Sequence, residues 1–167
     1  MWLGDIVARH RVNKDTPLRS FRAWRMKEHV LCSVYVPWES EWSDFNVACQ
    51  HGGTQHWDIV WSFSGGGRGS HAELAPSLTR DNTTGIYGHK RRRDLVARLI
   101  EHQDEAPLDV LALGHCDHWG WVVEHVDGYR SQYARPSRVF VQPQHRELAP
   151  LVAEAYSCEV SVRRFPS

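Results

Sequence analysis

The chain has 167 residues, with 20 Lys and Arg against 20 Asp and Glu, and it is rich in histidine (11) and tryptophan (8). Zero formal charge excludes the clearly basic kind of domain that coats DNA without regard to sequence. No run of eighteen apolar residues is present to span a membrane. The length fits a single domain able to bury a real core. The opening Met-Trp-Leu-Gly-Asp has no basic stretch leading into an apolar one, so no secretory signal is read and the cytoplasm is the expected compartment. Cys32, Cys49, Cys116 and Cys158 form no Cys-x-x-Cys pair and are expected as reduced thiols.

In chain order, residues 20–25 and 30–36 are expected as two strands joined by Lys27-Glu28-His29. Val30, Cys32, Val34 and Val36 alternate with Leu31, Ser33 and Tyr35, the period of a half-buried strand. Short strands are expected at 45–49 and 57–63. Ser64-Gly65-Gly66-Gly67-Arg68-Gly69-Ser70 follows as a flexible surface loop; it lacks the Lys-Ser/Thr that a phosphate-cradling P-loop needs. Residues 90–102 place Leu95, Val96, Leu99 and Ile100 on one helical stripe, and Pro107 stops any continuation.

Asp127-Gly128 predicts a two-residue type I′ hairpin turn. Val126 would then pair with Tyr129, His125 with Arg130 and Glu124 with Ser131. This puts Val122, Glu124, Val126, Tyr129 and Tyr133 on one face, and Trp119, Trp121, Val123, His125 and Arg130 on the other. A strand at 138–141, a helix at 147–156 with Pro150 in its first turn, and a strand at 159–163 complete the chain. The class expected is α+β, a single domain with a curved, mainly antiparallel sheet packed by two helices.

Three pieces together carry a resemblance. They are Arg22-Ala23-Trp24-Arg25 with Val30-Leu31-Cys32-Ser33; Gly85-Ile86-Tyr87-Gly88-His89-Lys90; and Trp119-Gly120-x-Val122-Val123-Glu124-His125-x-x-Gly128-Tyr129-Arg130 followed by Tyr133-Ala134-x-Pro136. The chain resembles, over most of its length, a family of small uncharacterised proteins of actinobacteria and their phages. The resemblance implies a common fold and a phage or actinobacterial origin, and supplies no activity. Such proteins carry Cys-x-Cys just before Gly-Ile-Tyr, where this chain has Asn82-Thr83-Thr84. A zinc site built on those cysteines would therefore be absent or rebuilt.

Residues 114–130 hold the densest chemistry, with three histidines, a cysteine and three carboxylates. His115, Cys116 and His118 could hold zinc if the segment from Gly114 to Trp119 turns, with Cys49, His51, His56 and His71 as a looser second group. Apart from zinc, no cofactor is expected. Glu124, between apolar neighbours, is expected either to clamp Arg130 or Arg135 or to serve as a general base. His115, His118 and Glu124 together would make the alternative function, a metal-dependent hydrolase or nuclease.

Charge is strongly segregated. Residues 1–27 carry seven Lys or Arg and two acids; 99–129 carry seven acids and no Lys or Arg; 130–146 carry four arginines and no acid. Opposite segments can pair within the fold, or a basic face can meet an anion. Lys90-Arg91-Arg92-Arg93 opposes a helix dipole unless it binds an anion, pairs with the acidic segment, or the helix starts nearer Asp94. The preferred function is a small non-enzymatic binding protein, phage-derived, that recognises a nucleotide, nucleic acid or host protein. Arg91, Arg92, Arg93, Arg130 and Arg135 would contact the anion, with Trp119, Trp121 and Tyr133 as stacking platforms.

Overall fold

Alternating apolar positions dominate the parts of the chain covered by the computed structural model, which describes residues 3–34, 55–56, 86–104 and 107–165. Those alternating runs become β1 (Ile6–Val12), β2 (Leu18–Lys27), β3 (Val30–Ser33), β4 (Gln55–His56), β5 (Ile86–His89), β6 (Leu111–His125), β7 (Gly128–Val141) and β8 (Glu159–Val162). Two helices interrupt them, α1 (Arg92–Glu101) and α2 (Ala149–Tyr156). Among the described residues the strands form one mixed sheet, antiparallel except where β8 pairs with β7. This is the α+β architecture expected. No described helix is long and apolar enough to cross a membrane.

The sheet curls until it closes. β2 pairs with β6, β6 with β7, β7 with β5, and β5 returns to β2 through Phe21 and His89. Closure is possible because β6 and β7 are long (15 and 14 residues) and β6 uses one edge twice, for β2 and then for β1. Long twisted strands coil into barrels when their ends can find partners. At the tightest point Gly88 lies against Ser20 and His118; a Cβ there would stand 1.9 Å from Ser20 Oγ, so no larger residue fits.

Side-chain alternation sends two cores to opposite faces. Trp24, Leu31, Ala112, Cys116, Val139 and Val141 pack with Val152 and Tyr156 of α2. Tyr156 also accepts a hydrogen bond from the Leu31 amide at 2.8 Å, which fastens α2 to β3. Ala23, Leu111 and Leu113 pack with Leu95 and Leu99 of α1 and with Phe165. Of the stripe read from residues 90–102, Leu95 and Leu99 are buried and Val96 packs partly against them, while Ile100 faces outward, 47% exposed. Pro150 sits in the first turn of α2, where its missing N–H costs nothing.

The β6–β7 hairpin departs from the sequence expectation. Glu124 pairs with Tyr129, Val123 with Arg130 and Val122 with Ser131, two residues away from the expected register. Neither Asp127 nor Gly128 has a positive φ, so the corner is no type I′ turn. Its backbone is held by tertiary partners instead. Val126 and Asp127 amides donate to the carbonyls of Asp5 and Leu3 (2.9 and 3.0 Å), and the Lys90 amide donates to the Asp127 carbonyl at 2.8 Å. Gly128 is needed for space, because a Cβ would meet the Gly88 carbonyl at 2.3 Å. A two-residue slip preserves which side chains share a face, so Trp121 and Glu124 still project oppositely.

Positive φ occurs at Gly120 (79°), within a register shift between Trp119 and Val122. This bulge separates the two tryptophans expected on one face. Trp119 packs with Val12, Val122, Tyr129 and Tyr133, while Trp121 lies under the Arg9 guanidinium at 4.3 Å. The expected strands at 45–49 and 57–63, the glycine-rich loop at 64–70, Cys49, His51 and His71 lie outside the described residues.

Candidate functional site

Register builds a basic, aromatic cleft on the α1 face of the sheet. Phe21 of β2 pairs with His115 of β6, which pairs with Arg138 of β7; one step along, Ala23, Leu113 and Phe140 form the next row. Alternation points both rows the same way. The chain leaving β8 adds Arg163, Arg164 and Phe165, pinned by the Arg163 amide donating to the Val141 carbonyl at 2.9 Å. Arg92, the first residue of α1, closes the other side. These groups surround a cleft of about 290 Å³ whose described lining contains four arginines and no carboxylate.

Electrostatics inside the cleft favour an anion. Arg138 Nη2 pairs with Glu159 at 2.8 Å, while its Nε is buried without a hydrogen-bond partner. Among the described residues no carboxylate pairs with Arg163 or Arg164. Arg138 and Arg163 each lie over the Phe140 ring, at 5.3 and 4.9 Å. His115 meets Phe21 edge-on at 4.9 Å between centroids. Burial lowers the His115 pKa, helped by Arg19 and Arg138 and opposed by Asp117. A neutral imidazole therefore faces the cleft at neutral pH.

The other side of β6 carries a second polar cluster with a different character. His118 is 0% exposed and sits between two buried serines, with Nε2 2.6 Å from Ser20 Oγ and Nδ1 2.6 Å from Ser131 Oγ. Ser131 has one hydrogen, with the Tyr133 carbonyl at 2.8 Å and the Ile86 carbonyl at 3.4 Å as acceptors; given to either, it leaves the serine oxygen to accept from His118 Nδ1–H. In that tautomer Nε2 is the unprotonated nitrogen and accepts from Ser20. Burial, and secondarily Arg22, push the His118 pKa down to about 3. Serine beside histidine is nucleophile chemistry, yet both serines are fully buried and no substrate reaches them. The cluster is a satisfied polar core.

The zinc expectation finds no geometry here. The segment from Gly114 to Trp119 is extended strand rather than a turn, so His115 faces the cleft while His118 faces the barrel interior. Both ring nitrogens of His118 are committed to serines. Cys116 is buried and its thiol is pushed up to about 12, which withholds the thiolate a metal or an electrophile would need. Among the described residues no three His, Cys, Asp or Glu side chains come together to hold an ion.

Glu124 pairs with Lys90 at 2.6 Å, not with Arg130 or Arg135, and Lys90 also lies over Tyr129. The hydrolase residues His115, His118 and Glu124 thus occupy three separate settings.

The expected anion contacts are likewise dispersed. Arg91 bonds Asp94 and Asp127 at 2.6 and 2.7 Å, and Arg93 is exposed with Asp94 at 3.7 Å. Pairing of Lys90 and Arg91 with Glu124 and Asp127 is the internal cancellation of basic and acidic segments. Arg130 is buried, its pKa lowered by desolvation, with Nε 3.4 Å from His125 Nε2. Arg135 is exposed opposite Asp117. Trp119 is 8% exposed and stacked on Tyr133 at 5.8 Å. Of the expected anion and stacking residues Arg92 alone is among those lining the cleft, together with His115 from the expected metal set.

Arg138, Arg163, Arg164, Phe21, Phe140 and His115 were brought together by register. The sequence singles out His115 for other chemistry; the signals for the rest were the arginine-rich stretch at 130–146 and the Arg-Arg-Phe at 163–165. Comparison of the chain with protein-family models, curated proteins and solved structures finds no match.

Proposed function

We propose that this is a small, cytoplasmic, phage-derived binding protein, without catalytic activity, that recognises a nucleotide or nucleic acid through the arginine cleft. One observation carries the reading: four arginines, three phenylalanines and no described carboxylate surround a single cleft. Like charges held close repel, and an anionic ligand relieves that repulsion while guanidinium forks bond its phosphate oxygens. Guanidinium planes and aromatic rings also stack on bases, which recognises nucleotides above simple anions. The sealed state of the Ser20–His118–Ser131 cluster and the dispersal of His115, His118 and Glu124 favour binding over hydrolysis.

A fluorescently labelled single-stranded oligonucleotide titrated over a range of salt tests the reading. Binding should weaken as salt rises, and Arg163→Ala with Arg164→Ala should lower affinity about tenfold or more and reduce the salt slope by about 2. Absence of binding of both the oligonucleotide and adenosine 5′-monophosphate at low salt, or an affinity indifferent to the double substitution, overturns it. Capture of a host protein under conditions where oligonucleotide does not bind would move recognition to a protein partner.

A further inference from the structure

We propose that the cleft selects a terminal phosphate monoester on a nucleotide, so that the ligand is a phosphorylated strand end or a free mononucleotide rather than the interior of a strand. The inference rests on the nucleotide reading above and narrows it. Two observations support it, one of charge and one of size.

Charge comes first. Arg92, Arg138, Arg163 and Arg164 border one cleft, and of the carboxylates described only Glu159 offsets any of the last three, through Arg138. An internal phosphodiester brings a single negative charge, whereas a terminal monoester carries about −1.5 to −2 at pH 7 and a third strong acceptor oxygen. The concentrated cations suit the monoester. A protein that tracks strand interiors instead spreads its cations along a groove so that each meets a successive phosphate. Here Arg91 and Arg93, the neighbours that could extend such a track from Arg92, lie against Asp94, and Arg91 also against Asp127.

Size agrees. At about 290 Å³ the cleft stands at the small end of the roughly 300–1,000 Å³ typical of ligand sites. That is room for one phosphorylated nucleotide unit. His115, neutral between Phe21 and Arg138, adds a hydrogen-bonding group to the lining, and the rings of Phe21 and Phe140 supply apolar surface for sugar or base.

The experiment uses the full chain and one oligonucleotide sequence in three forms, with a 5′ phosphate, with a 3′ phosphate and with both ends as hydroxyls. Adenosine 5′-monophosphate, adenosine and inorganic phosphate serve as competitors. At least one phosphorylated form should bind about tenfold tighter than the hydroxyl form, and Arg163→Ala with Arg164→Ala should erase that preference. Adenosine 5′-monophosphate should compete and adenosine should not. Direct binding of adenosine 5′-monophosphate, followed by calorimetry, with no oligonucleotide binding identifies the free nucleotide as the source. Equal affinity for all three oligonucleotides, still dependent on Arg163 and Arg164, overturns end selection and leaves the nucleic-acid reading standing. Inorganic phosphate competing as well as the mononucleotide overturns the nucleotide specificity, and failure of every ligand to bind removes both proposals.

Discussion

His115 and His118 lie three residues apart on β6 and meet opposite surroundings. His118 is enclosed between Ser20 and Ser131, with a partner for each ring nitrogen and no route to solvent. His115 faces an open cleft beside Phe21 and Arg138, where cations outnumber the acids. The interior cluster contains the residue types of a nucleophilic site, but each polar atom is spent on another. The cleft contains no acid–base pair, but Arg138 Nε has no hydrogen-bond partner and no described carboxylate pairs with Arg163 or Arg164. A dense polar cluster therefore says little about function until its hydrogen bonds are counted; unused capacity at an open surface says more.

Breaking the interior should be the costlier change. His118→Ala leaves two buried serines without their partner and a cavity between strands, a loss of about 4 kcal/mol by denaturant unfolding. The affinity of the remaining folded protein for a phosphorylated oligonucleotide should stay within about twofold. A stable variant that loses binding would instead make His118 part of the ligand site. Trp119→Ala should follow at about 3 kcal/mol, because the indole is packed on Tyr133 and Val122. Lost oligonucleotide affinity at unchanged stability would restore Trp119 as a stacking platform.

Acid should act on the interior by the same logic. His118 titrates at about 3 when folded and near its ordinary 6.5 when unfolded, so the unfolded chain takes the proton first. Its stabilisation is complete above pH 6.5 and declines by roughly 1.4 kcal/mol per pH unit below it until about pH 3. His89, held at about 4 by burial, acts in the same direction. Unfolding at pH 7 and pH 5 should differ by about 2 kcal/mol or more, and equal stability would mean that the barrel accommodates a charged imidazole. The smallest effect is expected at the surface pair. Lys90→Met should cost no more than about 1 kcal/mol, since both partners are partly exposed. A loss several times larger would place Glu124 among the buried groups.

Much of the fold was legible because it depends on short-range periodicity. Leu95 and Leu99 announced the buried stripe of α1, Val30 and Leu31 a strand, and Pro150 the first turn of α2. The Asp127-Gly128 corner was seen as a reversal, but its geometry was missed because Leu3, Asp5 and Lys90 bind its backbone from outside the hairpin. The bulge at Gly120 was missed for a similar reason: glycine permits a positive φ without requiring one. The candidate site was the least legible part. Arg138 is separated in sequence from Phe21 by 117 positions (138 less 21), and no local pattern encodes their shared row.

By itself the sequence determined which segments alternate, where the helices bury their stripes and that basic and acidic stretches are segregated. Those properties follow from side-chain spacing along one segment and need no partner. Tertiary structure decided which face each histidine meets, which arginines pair with Asp94, Asp127 and Glu159, and which line the cleft. Strand register makes that choice, because one residue of slip sends a side chain to the opposite face, and register here is set by contacts between segments far apart in the chain.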